Sequence, residues 1–289
     1  MNPLSDWINS IRSLLAPAMI CCLICGKNGR PSAGLPGICT GCEAGIPWIR
    51  QPRCQKCGRH TGCPDCSRSG QSASILYNRS AVAYTQVMRE LLGRYKYRGH
   101  ERLAPLLGLM LDRAYLQLKA YIDHPQYFTQ VQAGRLPEHH FLRKKKAKPA
   151  NLWHADLLVP VPVSDSRLME RGFNQAERLA DVLSGVRGIP QLPLLVRTCH
   201  TGKQSFKSRG ERIADMKHAF GANPDKTVRA QFTSWLSQVK DPGRPLQILI
   251  IDDIYTTGST IRACAEAVQL ICASHRRDAE IYSLTWARS

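Results

Sequence analysis

"ILIIDDIYTTGST", residues 248–260, decides how the chain folds. Its four leading apolar residues, Ile248 to Ile251, read as a strand buried on both faces, the pattern of a central strand in a parallel sheet. Asp252 and Asp253 follow at its end. Ligands of open α/β sheets sit beyond the carboxyl ends of such strands, so binding is expected in the next few residues. Gly258 lets the backbone curl, and Thr256, Thr257, Ser259 and Thr260 supply hydroxyls. A helix starting near Thr260 points unpaired N–H groups and its positive dipole end into the same space. The result is an anion cradle that fits a phosphate. A plain helix cap accounts for one hydroxyl but not for four. The two carboxylates make sense beside a phosphate when the ligand also carries ribose hydroxyls or a hydrated Mg²⁺. A sugar phosphate meets all of these demands together.

The flanking sequence supplies the rest of such a sheet. "ADLLVPVPV" (155–163) is another apolar run bounded by prolines, and "RGFNQAERLADVLSGV" follows as a helix with Phe173, Ala176, Leu179, Ala180 and Leu183 inward. Further strands are expected at 81–85, 192–198 and in "AEIYSLTWA" near the end. Residues 86–122 read as two helices broken near Gly99, and a helix runs from the opening motif to about 273. Alternating strands and helices give an α/β domain with a mostly parallel sheet. Residues 123–150 gather Pro, Gly, His and the charge run Arg143 to Lys146, and read as a loop. A polar stretch separates the strand at 192–198 from the opening motif.

At 289 residues and 43% hydrophobic content, the chain holds one full domain and a smaller one. Forty Lys and Arg against 22 Asp and Glu leave a formal charge of +18, which favours nucleic acid, phosphate-rich ligands or an acidic membrane surface. No run of 18 apolar residues exists to span a bilayer. The first 20 residues read as a short amphipathic helix burying Trp7, Ile8, Ile11, Leu14 and Leu15. A signal peptide fits less well, because Asp6 and Arg12 interrupt the apolar stretch. A cytoplasmic location is therefore expected, where disulfides rarely persist.

Eight of the 12 cysteines form four identical pairs: Cys22 with Cys25, Cys39 with Cys42, Cys54 with Cys57 and Cys63 with Cys66. Two intervening residues let a tight turn aim both sulfurs at one tetrahedral ion, and eight ligands make two closed Zn²⁺ sites of structural type. Sequential pairing, which lets each half fold locally, is expected over an interleaved cross-brace. Cys21 and His60 are alternative ligands. The expected organisation is a double zinc module over residues 21–70 ahead of a larger domain over 75–289. The module's basic rim, including Lys27, Arg50, Arg53 and Arg59, either meets a polyanion or belongs to a small domain that only packs on its neighbour.

Other basic residues suit a phosphate-rich ligand. Arg167 and Arg171 flank a turn after the strand at 155–163. "TGKQSFKSRGERIADMK" (201–217), with Lys203 and Arg209, reads either as a mobile lid over a leaving diphosphate or as a solvated loop. Arg94, Lys96 and Arg98, interleaved with Tyr95 and Tyr97, have the composition to neutralise phosphates and stack bases. An ordinary solvated helical stripe is the other reading of the same five residues.

The order apolar strand, two acids, two further positions and then Thr256-Thr257-Gly258-Ser259-Thr260 resembles the 5-phosphoribosyl-1-diphosphate (PRPP) motif of type I phosphoribosyltransferases. The resemblance implies that Asp252 and Asp253 hold the ribose hydroxyls, with Mg²⁺ accompanying the ligand, and that residues 256–260 hold the 5′-phosphate. It also implies a diphosphate loop after an earlier strand, where Val163 and Ser164 stand. Together with the four cysteine pairs, "YKYRG" (95–99), "RGFNQA" (171–176), Lys203, Gln204, Arg209 and Arg212, the whole arrangement is similar to the ComF family of bacterial competence proteins. That family joins a zinc-binding N-terminus to a phosphoribosyltransferase-like domain. The resemblance implies handling of single-stranded DNA alongside the DNA-uptake machinery. Two alternatives stay open: a phosphoribosyltransferase acting on a small base or amine, with Asp252 and Asp253 catalytic, and a PRPP-sensing regulator.

Overall fold

The structure, a computed structural model, describes residues 19–63, 66, 74–97, 100–125, 152–198 and 219–289. The chain divides into two compact units, 1–47 and 48–289, and the two cysteine quartets fall one in each. The expected helix at 1–20, most of the loop at 123–150 and the stretch 201–217 lie outside the described residues.

In the smaller unit, β1 (Ile20–Cys21) pairs antiparallel with β2 (Asn28–Gly29), and α1 (Thr40–Ala44) follows. The turn between the two strands carries Cys22 and Cys25, with Gly26 at φ +73°, a left-handed backbone in which glycine carries no Cβ penalty. Cys39 caps α1, its sulfur accepting from the Cys42 amide.

The larger unit runs β3 (Asn78–Ala83), α2 (Gln86–Tyr97), α3 (Ala104–Asp123), β4 (Leu157–Pro160), α4 (Asp165–Arg171), α5 (Gln175–Arg187), β5 (Leu195–Arg197), β6 (Phe220–Ala222), α6 (Lys226–Gln238), β7 (Leu246–Tyr255), α7 (Ser259–Ser274) and β8 (Ala279–Arg288). Four strands form one all-parallel sheet in the order β3-β8-β7-β4. β7 has a neighbour on each side and helices over both faces, so Leu246 and Ile248 to Ile251 are fully buried. This is why an unbroken apolar run, rather than an alternating one, forms the strand.

Three features depart from the expected layout. β7 does not stop at the acid pair but continues to Tyr255, because β8 offers a partner that far: Asp252 stands opposite Thr285 and Tyr255 opposite Arg288. The strand near 192–198 pairs antiparallel with β6 as a separate two-stranded ribbon, Leu195 opposite Ala222. The polar stretch before β7 also hides α6, capped by the Asp225 carboxylate on the Thr227 amide. Its apolar residues Val228, Phe232, Trp235 and Leu236 recur at helical spacing and pack into the core.

α7 shows the same logic on a larger scale. Ile261, Cys264, Ala265, Val268 and Cys272 form one buried stripe, which lays the helix along the sheet with its amino end at the carboxyl edge.

Candidate functional site

The carboxyl ends of β4 and β7 lie side by side, joined where the Val161 amide donates to the Ile251 carbonyl. Around this edge the structure gathers the acid pair, the loop at 256–258, the amino end of α7 and the end of α2. The turn holding Val163 and Ser164 leaves the same edge and leads into α4, with Ser164 at its cap position and Arg167 exposed.

Asp252 is partly buried and Asp253 is 7% exposed. The Asp253 amide donates to Asp252 Oδ1 at 2.8 Å, and Lys96 Nζ lies 2.5 Å from Asp253 Oδ2. Burial, and after it the negative charge of Asp253, push Asp252 up to about 7, against the pull of Lys96, the Asp253 amide and Arg197. Two carboxylates this close resist ionising together, and Lys96 supplies the charge that holds them.

The loop beyond is shaped by Gly258. Its φ is +77°, and a Cβ there would lie 2.1 Å from the Tyr255 hydroxyl, so both conformation and space require glycine. Thr256 and Thr257 are exposed, while Ser259 and Thr260 are half-buried. Thr257 Oγ1 and Ser259 Oγ are 3.0 Å apart, and Arg262 Nη1 braces the Thr257 carbonyl at 3.1 Å. Gly258 at the cap position offers no side chain to the first amides of α7, and among the described residues only the Ser259 amide meets one, Thr257 Oγ1 at a long 3.4 Å. The first amides of a 16-residue helix, with hydroxyls around them, can hold an anion.

Several residues take roles that their sequence context did not give. Lys96, read as a contact for nucleic acid, is instead the cation of the acid pair. Tyr95 is fully buried against Phe173, and its hydroxyl donates to the Gln175 carbonyl. It offers no face for stacking a base. Arg171 is 8% exposed and donates to Gln175 Oε1 at 2.8 Å, so it braces α5 rather than facing solvent. Arg94 is half-buried, and the side chain of Tyr97, with Arg98, Lys203 and Arg209, lies outside the described residues. Arg197, whose charge acts on Asp252, and Arg288, described below, were not found from sequence. Their places are set by strand register, which no local motif announces.

The quartets are sequential: Cys22, Cys25, Cys39 and Cys42 form one, and Cys54, Cys57, Cys63 and Cys66 the other, with all sulfurs in each within 4.8 Å of one another. A tetrahedral ion with sulfurs at 2.3 Å would space them by about 3.8 Å. Both quartets open with the same turn. Cys22 N donates to Lys27 O and Gly26 N to Cys22 O, and Cys54 N donates to Arg59 O and Gly58 N to Cys54 O. In the second quartet, the bond to Cys54 and then burial raise Cys57 to about 12, burial raises Cys66 to about 11, and Cys54 is lowered by the Cys57 bond. Four such thiols cannot all ionise beside one another without a cation, which is the demand that Zn²⁺ meets. The donor sets fit structural zinc.

The second quartet is bolted to the sheet. Asn78 donates to the Cys57 carbonyl from Nδ2 and to the Lys56 carbonyl from its amide, and Arg79 Nη1 reaches Gln55 O at 2.7 Å. A Cβ on Gly58 would lie 2.7 Å from the Asn78 carbonyl, so the turn presses directly on β3.

A cavity of about 570 Å³ lies elsewhere, at the amino ends of β4 and β7, lined in part by Tyr115, Trp235 and Lys240. Its arginines are committed: Arg187 to Asp112 and Arg244 to Asp156, both through paired bonds. The acid pair and the amino end of α7 are at the opposite edge. Among the described residues, no helix is long and apolar enough to cross a membrane.

No family model matches the chain. It is 28% identical over 240 residues to competence protein ComFC of Bacillus subtilis, covering 80% of this chain and 77% of that protein. It is 25% identical over 276 residues to competence protein ComFC of Streptococcus pneumoniae, covering 91% and 98%. The DNA utilization protein YhgH of Salmonella typhi is 24% identical over 252 residues, covering 86% and 89%. The chain is a homologue of the ComF proteins. The alignments span most of the chain, so the likeness is not carried by the cysteine pairs alone.

Proposed function

We propose that the chain binds PRPP with Mg²⁺ at the carboxyl edge of the sheet and serves a ComF-type role, handling single-stranded DNA during DNA uptake. The observation that carries the ligand reading is the amino end of α7, with a glycine at its cap position, following closely on a paired acid near the end of a central parallel strand. In this reading, residues 256–260 hold the 5′-phosphate. Asp252 and Asp253 each have one oxygen engaged, by the Asp253 amide and by Lys96. Their other oxygens have no hydrogen bond among the described residues and suit ribose hydroxyls or the water shell of Mg²⁺. Val163, Ser164 and Arg167 stand where the diphosphate would lie, with Lys203 and Arg209 as candidates for its lid.

The relatives' names, competence protein and DNA utilization protein, support the DNA role. So does a formal charge of +18. Titration calorimetry with PRPP and Mg²⁺ tests the ligand, and anisotropy of a labelled single-stranded oligonucleotide across a salt series tests the DNA. Saturable PRPP binding lost in Asp252→Ala/Asp253→Ala, with the fold retained, supports the site. Undiminished PRPP affinity in that variant removes it. Release of diphosphate on adding a nucleobase would make the chain a transferase rather than a binding protein.

A further inference from the structure

Arg288 joins two features that have so far stood apart. Its side chain is 2% exposed. Nη1 donates to the carbonyls of Tyr255 at 3.0 Å and Thr256 at 2.9 Å, and Nη2 reaches Cys57 Sγ at 3.6 Å. The guanidinium also lies 4.7 Å from the centre of the Tyr255 ring. The Tyr255 hydroxyl closes directly under Gly258, and the Ser289 amide adds a further bond to the Tyr255 carbonyl at 3.1 Å. One buried fork therefore holds the backbone entering the candidate phosphate loop, the ring beneath that loop, and a sulfur of the second quartet.

The backbone of the Cys54–Cys57 turn is anchored to β3 by Asn78 and Arg79. An ion adds something different: it fixes where the sulfur of Cys57 stands relative to those of Cys63 and Cys66. Because the fork is rigid and planar, moving one of its acceptors displaces its hold on the others. A lysine cannot reproduce that arrangement, having a single point of charge on a flexible stem.

We infer that metal held by the second quartet sets the conformation of the loop at 255–260 through Arg288, making the quartet a control element of the candidate phosphate site. The consequence for ligand rests on the phosphate reading above; the consequence for the loop does not. Coupling between two sites is reciprocal, so a ligand that settles the loop also tightens the hold on the ion.

Hydrogen exchange on the full zinc-loaded chain tests the loop directly. Arg288→Lys, with zinc content verified, and Cys63→Ser/Cys66→Ser are each expected to speed exchange of the amides at 255–260 by about tenfold, as a loss of local protection would. Cys22→Ser/Cys25→Ser in the first quartet is expected to leave them unchanged. Where the second-quartet variant fails to fold, loop exchange in the wild-type chain at graded zinc occupancy decides, and exchange that does not follow occupancy overturns the inference. Unchanged loop exchange in Arg288→Lys overturns the inference. In a second arm, PRPP with Mg²⁺ should lower the share of second-quartet zinc that a chelating dye holds at equilibrium. Loop exchange that responds to zinc in a chain that does not bind PRPP supports the coupling and removes the ligand reading. PRPP binding with loop exchange indifferent to zinc does the reverse.

Discussion

Lys96 Nζ and Asp253 Oδ2 stand 2.5 Å apart, joining the end of α2 to the end of β7. This pair makes two adjacent carboxylates tolerable at a largely desolvated strand end. It also places part of the site on a helix more than 150 positions earlier in the chain. Removing the cation while leaving the acids should cost far more than the worth of an exposed ion pair.

Lys96→Met is therefore expected to destabilise the chain by about 3–5 kcal/mol at neutral pH, the range for stranding one member of a buried pair. Since Lys96 pulls Asp252 down, its loss should also move that group's titration above its present value of about 7. Chemical denaturation of wild type and variant across pH checks both. Equal stability of the two at pH 8 contradicts the pairing.

Asp252 carries the next prediction. Its folded-state value is raised from 3.8 to about 7, so the folded chain binds this proton more tightly than the unfolded one. Stability from this group is complete below the unfolded value and is lost as pH rises from about 4 to about 7, remaining lost above that. Asp252→Asn should therefore raise the melting temperature at pH 8 by several degrees and do nothing at pH 4. The same substitution should weaken PRPP binding, as expected where a binding site is held at the expense of stability. A variant less stable than wild type at pH 8 contradicts the assignment.

How much of this was legible beforehand depends on whether a feature is local in sequence. The acid pair, Gly258 and the hydroxyls sit in nine consecutive residues, and the cysteine turns repeat one spacing four times, so both could be read directly. Tyr95 could not. Its neighbours Arg94 and Lys96 look like a polar stripe, but the ring packs on Phe173, 78 positions away. Arg288 is set opposite Tyr255 only by the parallel register of β8 on β7. α6 was legible and overlooked: Asp225 is a clear cap, and its four apolar residues keep helical spacing within an otherwise polar stretch.

Gly258→Ala is expected to damage the loop twice. The left-handed backbone costs about 1–2 kcal/mol with a Cβ present, and the new methyl meets the Tyr255 hydroxyl and ring within 2.4 Å. Tyr255 is 7% exposed and lies beneath Arg288, so it has little room to move aside. The melting temperature should fall by several degrees and PRPP affinity by at least about tenfold, since the amides at the start of α7 would be displaced. Calorimetry with undiminished affinity would show that these amides do not hold the ligand.

Tyr95 separates a packing role from a DNA role. Tyr95→Phe keeps the ring and loses only the bond to the Gln175 carbonyl, a cost of about 1 kcal/mol. Tyr95→Ala empties a fully buried ring position between α2 and Phe173, at about 3–5 kcal/mol. Because the ring faces the core, Tyr95→Phe should leave both the affinity for single-stranded DNA and its salt dependence where they were. A surface stacking residue would behave differently: its phenyl form would still stack, and its alanine form would lose about 1–3 kcal/mol of DNA binding without loss of fold. The alanine variant is therefore the discriminating one, measured by thermal melting alongside anisotropy. A folded, fully stable Tyr95→Ala chain with weakened DNA binding would place the ring at a surface, against the packing seen here. A chain that melts early, yet binds DNA normally while folded, confirms that the basic residues around it act without an aromatic platform at this position.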